Sequence, residues 1–107
     1  MLLKRQLTHL IKFKVDEKKQ TLLVKGHADA GPFGQDIVCA GVSVLFQSHL
    51  NLLEFLKKTQ HIEYKLTAAL FNFQVLVADD LVAAVFQNLV YTLRDLSRQY
   101  PKNIKEE

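Results

Sequence analysis

Residues 26–43 run GHADAGPFGQDIVCAGVS, and the fold turns on where this stretch divides into strand end, loop and helix start. Its middle, residues 27–35, holds two of the four glycines and one of the two prolines and shows no periodicity, so it reads as a loop. On its amino-terminal side residues 21–26 (TLLVKG) form a strand pattern. Before them Leu7, His9, Ile11, Phe13 and Val15 alternate with more polar neighbours, which is strand spacing with one face toward a core. The charged residues 16–20 between the two read as a hairpin connection. On the carboxyl-terminal side residues 37–57 read as a long helix. Val38, Val42, Leu45, His49, Leu52 and Leu56 make one stripe at steps of three and four. Cys39, Ser43, Phe46, Leu50 and Leu53 make a second beside it, so this helix is apolar over a wide arc and lies against a sheet or a partner subunit.

Beyond that helix, residues 61–66 and 71–77 read as two further strands. Asp79 and Asp80 supply amino-terminal caps for a second helix over 81–99, with Leu81, Val85, Leu89, Leu93 and Leu96 on its buried face. Pro101 limits its extension, and a short final strand is placed around Ile104. The order β-β-α-β-β-α, with that last strand, predicts an α+β fold: a mostly antiparallel sheet carrying two main helices. No linker, repeat or low-complexity tract interrupts the chain, so residues 1–107 are expected to form one domain.

Composition narrows the function classes. The 107 residues are 49% hydrophobic and 23% charged, an ordinary globular balance. One cysteine excludes an intrachain disulfide and favours a reducing, cytoplasmic setting. Lys4 and Arg5 break the first apolar residues, so no export signal is expected, and no membrane segment is expected either. The net charge of +3 is mildly basic. With no arginine-rich stripe or interleaving of aromatic and basic residues, it predicts no direct nucleic-acid site.

Cys39 carries the candidate chemistry. With Asp36 as the helix cap, Cys39 falls in the first helical turn, where unpaired N–H groups and the helix dipole favour a thiolate. His27, at the end of the second strand, is placed to act as its base. The competing reading of a lone cysteine is a small buried hydrophobe; its position after a glycine-rich loop that opens on a histidine tips the balance toward catalysis. Asp36 either caps the helix or orients His27. Gly31, Pro32 and Gly34 are candidates for a mobile substrate loop. The glycine pair Gly31 and Gly34 lacks the GK[ST] ending of a phosphate loop. The histidines, Asp36 and Cys39 show no metal-ligand spacing, so neither metal nor cofactor is expected. His9, His49 and His61 sit on apolar faces and read as structural.

The run Gly26-His27-Ala28, then Gly34-Gln35-Asp36-Ile37-Val38-Cys39-Ala40-Gly41-Val42-Ser43, resembles the ribosomal-processing cysteine protease family of bacteria. The resemblance extends to the length, the element order and the closing Tyr100-Pro101. It implies a cysteine endopeptidase whose His27–Cys39 dyad removes an amino-terminal extension from large-subunit ribosomal protein number twenty-seven, a step in ribosome maturation. It implies a homodimer as well. The rival reading is a non-catalytic ribosome-associated binding or assembly protein, which would need no nucleophile at a helix start.

Overall fold

The computed structural model describes residues 10–26, 33–67 and 69–107, with the side chains of residues 33–36 not described. Strand β1 (Ile11–Asp16) and strand β2 (Thr21–Lys25) form an antiparallel hairpin in which Phe13 stands opposite Val24. Helix α1 (Phe33–Phe55) and one 3₁₀ turn (Thr59–His61) lead to β3 (Ile62–Leu66). Then follow β4 (Leu70–Val75), helix α2 (Asp80–Gln99) and the short β5 (Ile104–Glu106). The sheet order is β3-β4-β2-β1-β5, antiparallel except where β5 lies parallel to β1. This is the α+β architecture expected, including the final strand.

One face of the sheet makes the core. Alternation puts Ile11, Phe13, Leu22, Val24, Phe71, Phe73 and Val75 on the same side, all buried, while their neighbours Lys12, Lys14, Asn72 and Gln74 face solvent. Both helices cover the apolar side. Helix α1 buries Val38, Cys39, Val42, Phe46, Leu50 and Leu53; α2 buries Val82, Val85, Phe86, Leu89, Val90 and Leu93. Phe46 stacks on Phe71 with ring centroids 4.1 Å apart, and Phe73 lies 5.9 Å from Phe71 and 6.4 Å from Phe86. This aromatic row runs from α1 along β4 to α2.

Helix α2 starts where its cap predicts. The Asp79 carboxylate accepts hydrogen bonds from the backbone N–H groups of Leu81 (2.9 Å) and Val82 (3.2 Å). Leu81, expected on the buried face, is instead half exposed, because the apolar stripe is centred one position later, on Val82, Val85 and Leu89. Arg94 holds the far end of the molecule together, donating to Glu106 of β5 through Nε and Nη2 (both 2.9 Å) and to Glu17 of the hairpin turn through Nη1 (3.0 Å). Those carboxylates push the guanidinium pKa up, so Arg94 stays charged at every accessible pH.

Candidate active site

Helix α1 begins four residues before Ile37, the expected start. Three expectations change as a result. Asp36 is not the helix cap, since it lies inside the first turn. Gly34 belongs to the helix and not to the preceding loop. Cys39, the seventh helical residue, lies in the second turn, where the N–H of a helical residue bonds the carbonyl four residues back. The helix dipole acts mainly within the first turn, so the expected dipole support for a Cys39 thiolate is weak.

Cys39 points at the sheet and is 2% exposed. It lines a small cavity of about 30 Å³, bounded by Val24 and Gly26 at the end of β2, Val42 and Ser43 one turn along α1, and Leu66 and Thr67 at the end of β3. That volume holds about one water molecule.

Gly26 forms one wall of the cavity, and its role is visible only in the structure. Its φ is +121°, a conformation that L side chains rarely adopt. A Cβ built there would lie 2.7 Å from the carbonyl oxygen of Leu10 and 2.9 Å from Cα of Ile11. The Gly26 N–H donates to the carbonyl of Ala69 at 3.1 Å. Gly26 is therefore held from both sides, and it fixes where the chain leaves β2 toward position 27. His27, Gly31 and Pro32 lie outside the described residues, as does His9.

The remaining histidines have structural surroundings. His49 donates from Nδ1 to the carbonyl of Leu45, one turn back, at 2.8 Å. His61 Nε2 lies 3.9 Å from Oδ2 of Asp79, the carboxylate that caps α2. Lys58 donates to the same oxygen at 2.8 Å. The Lys58 hydrogen bond, reinforced by the backbone N–H of Val82, holds the Asp79 pKa below its ordinary value. Among the described residues no group of three metal-binding side chains comes together.

Fold and cavity together define an α+β protein with a single thiol set into the helix–sheet seam, beside the glycine at which β2 ends. The chain belongs to the cysteine protease Prp family, whose sequence profile matches residues 8–105. The ribosomal processing cysteine proteases Prp of Staphylococcus aureus strains Mu50 and NCTC 8325 are each 33% identical to it over 93 residues, covering 84% of this chain and 88% of theirs. Among solved structures, an essential ribosomal processing protease Prp from S. aureus, in complex with a substrate peptide, superposes with a TM-score of 0.73. That match has 23% identity and covers 92% of this chain and 96% of that one. SMU.848 from Streptococcus mutans superposes with a TM-score of 0.73 at 21% identity, covering 92% of each chain. At those identities the two superpositions speak for the fold.

Proposed function

We propose that this chain is a cysteine endopeptidase that trims the amino-terminal extension of large-subunit ribosomal protein number twenty-seven, with Cys39 as nucleophile and His27 as general base. One observation carries the dyad: Gly26 and Cys39 line the same cavity, and His27 is the residue that follows Gly26. Family membership and the named activity of the S. aureus relatives support the substrate class.

In this mechanism His27 takes the thiol proton and the Cys39 sulfur attacks the scissile carbonyl, forming a C–S bond. Collapse of the tetrahedral intermediate breaks the C–N bond, and His27 returns the proton to the departing amine. Water then cleaves the thioester and restores the thiol. Asp36, in the first turn of α1, is assigned as a positioning residue for His27. Gly31 and Pro32 are assigned to a segment that closes over bound substrate. The enzyme acts as one domain in the cytoplasm, without a cofactor, as a homodimer.

The test is cleavage of a synthetic peptide spanning the extension junction, followed by mass spectrometry. Wild-type protein is expected to cut it at one bond. Cys39→Ala and His27→Ala are each expected to lose at least about a thousandfold in kcat. A Cys39→Ala protein that cuts as fast as wild type removes the assignment.

A further inference from the structure

Against the expectation from composition that there is no direct nucleic-acid site, we infer that the open face of the sheet is a docking surface for the phosphate backbone of structured RNA. Both helices lie on one side of the sheet, so the other side is bare among the described residues. The strand registers arrange its side chains in rows. Lys105, Lys12 and Lys25 stand directly abreast on β5, β1 and β2. The next row on the same face runs Lys14, Leu23, Asn72 and Lys65 across β1, β2, β4 and β3. All five lysines are exposed, and none of them pairs with a described residue. The acids of this face are displaced from the first row: Asp16 and Glu63 lie in the third, and Glu107, whose N–H donates to the Phe13 carbonyl, follows the last paired residue of β5.

Like charges directly opposite on neighbouring strands destabilise a sheet. A row of three lysines is thus a standing cost in the free protein, which a bound polyanion relieves. With strands about 4.8 Å apart, the basic field spans about 19 Å from β5 to β3. Its chemistry favours nucleic acid over an acidic protein. Protein–protein interfaces are poor in lysine and rely on apolar anchors, and the large apolar side chains of the two rows, Leu70 opposite Lys25 and Leu23 opposite Lys14, are both half-buried and offer no exposed anchor. Interfaces with nucleic acid are strongly positive, and lysine meets phosphate as a point charge. Neither row contains an aromatic residue on which an unpaired base would stack, so the surface suits a duplex backbone bound without regard to sequence. The phosphate surface stands on geometry alone. The choice of RNA over DNA rests on the ribosomal substrate proposed above.

The test is fluorescence anisotropy with a labelled RNA hairpin, against a DNA duplex of equal length and polyglutamate of equal charge. Wild-type protein is expected to bind the RNA hairpin most tightly, with a slope of log K against log salt of about −3 to −4. The Lys12→Gln/Lys105→Gln double variant is expected to flatten that slope by about 1.5 to 2 and to weaken binding about tenfold at low salt. Lys57→Gln/Arg98→Gln removes the same charge from the helical side and is expected to change little. The single variant Lys12→Gln, with a slope change near 0.8, guards against a folding defect in the double. Absence of salt-dependent binding, or equal losses in the two double variants, overturns the surface. Polyglutamate bound as tightly as RNA points to an acidic protein, and tighter DNA binding removes the RNA assignment. Peptide cleavage is read separately, so its failure alongside intact RNA binding removes the protease reading and leaves this surface standing.

Discussion

Gly26 and Gly41 are both glycines beside the Cys39 helix or cavity, yet the structure asks opposite things of them. At Gly26 a side chain meets backbone on one side and an unfavourable φ of +121° on the other. Gly26→Ala is expected to cost about 2–3 kcal/mol in urea unfolding and to lower peptide cleavage more than stability alone explains, because it displaces position 27. At Gly41 an added Cβ meets nothing within 4 Å, and the backbone is helical. Gly41→Ala is expected to stabilise the isolated protomer by about 1 kcal/mol through helix propensity. Equal effects at the two positions would refute the assignment of Gly26 to a fixed turn. The Gly26-His27 pair is legible in the sequence as a motif. The reason for the glycine is not, because it lies in Leu10 and Ile11, where the neighbouring strand β1 begins.

At the scale of elements, the two helix starts show where local signals suffice. Asp79 is a good cap followed by helix-forming residues, and its carboxylate meets Leu81 and Val82 as predicted. Asp36 is equally good chemistry in the wrong place, because the helix already runs from Phe33 and Asp36 is its fourth residue. Strands β2, β3 and β4 and the second helix follow from alternation and periodicity within two residues of their observed ends, while β5 was placed only by Ile104, without ends. The Lys58–Asp79 bond, spanning 21 residues, was invisible to such patterns. It has a pH consequence. The folded pKa of Asp79 is lowered, so its ionised form adds stability above the ordinary carboxylate pKa of 3.8, and that contribution is lost as pH falls through the lower folded value. Urea midpoints measured from about pH 5 down to pH 2 are expected to fall less steeply for Lys58→Gln than for wild type. Parallel curves would show that Lys58 does not set the Asp79 pKa.

At the scale of the whole molecule, α1 has more apolar surface than one sheet can cover. At 100° per residue Val38, Val42, Phe46, Leu50 and Leu53 fall on the side that meets the sheet. Ile37, Val44, Leu52 and Phe55 fall together on nearly the opposite side, and they are 57%, 66%, 44% and 83% exposed. The two stripes seen in the sequence merge into the inner face, to which Val38 and Val42 of one and Cys39, Phe46, Leu50 and Leu53 of the other belong, whereas Ile37, Val44 and Phe55 of the outer face lie in neither; with both faces apolar, Ile37–Phe55 is, by length and composition alone, apolar enough to cross a membrane. The inner stripe is part of the core, so the folded protein has only the outer one to cover, a strip about 27 Å long with Gly41 on its flank. A second copy of α1 is the proposed cover, with Gly41 allowing close approach of the two backbones. Wild-type protein is then expected to sediment as a dimer at micromolar concentration, and Val44→Lys/Phe55→Lys as a monomer with its helical spectrum intact. Gly41→Ala separates the two roles of that position: in the monomeric background it stabilises, while in the wild-type background it shifts the dimer toward dissociation. A wild-type protein that sediments as a monomer at about 100 μM would leave the outer stripe without this partner.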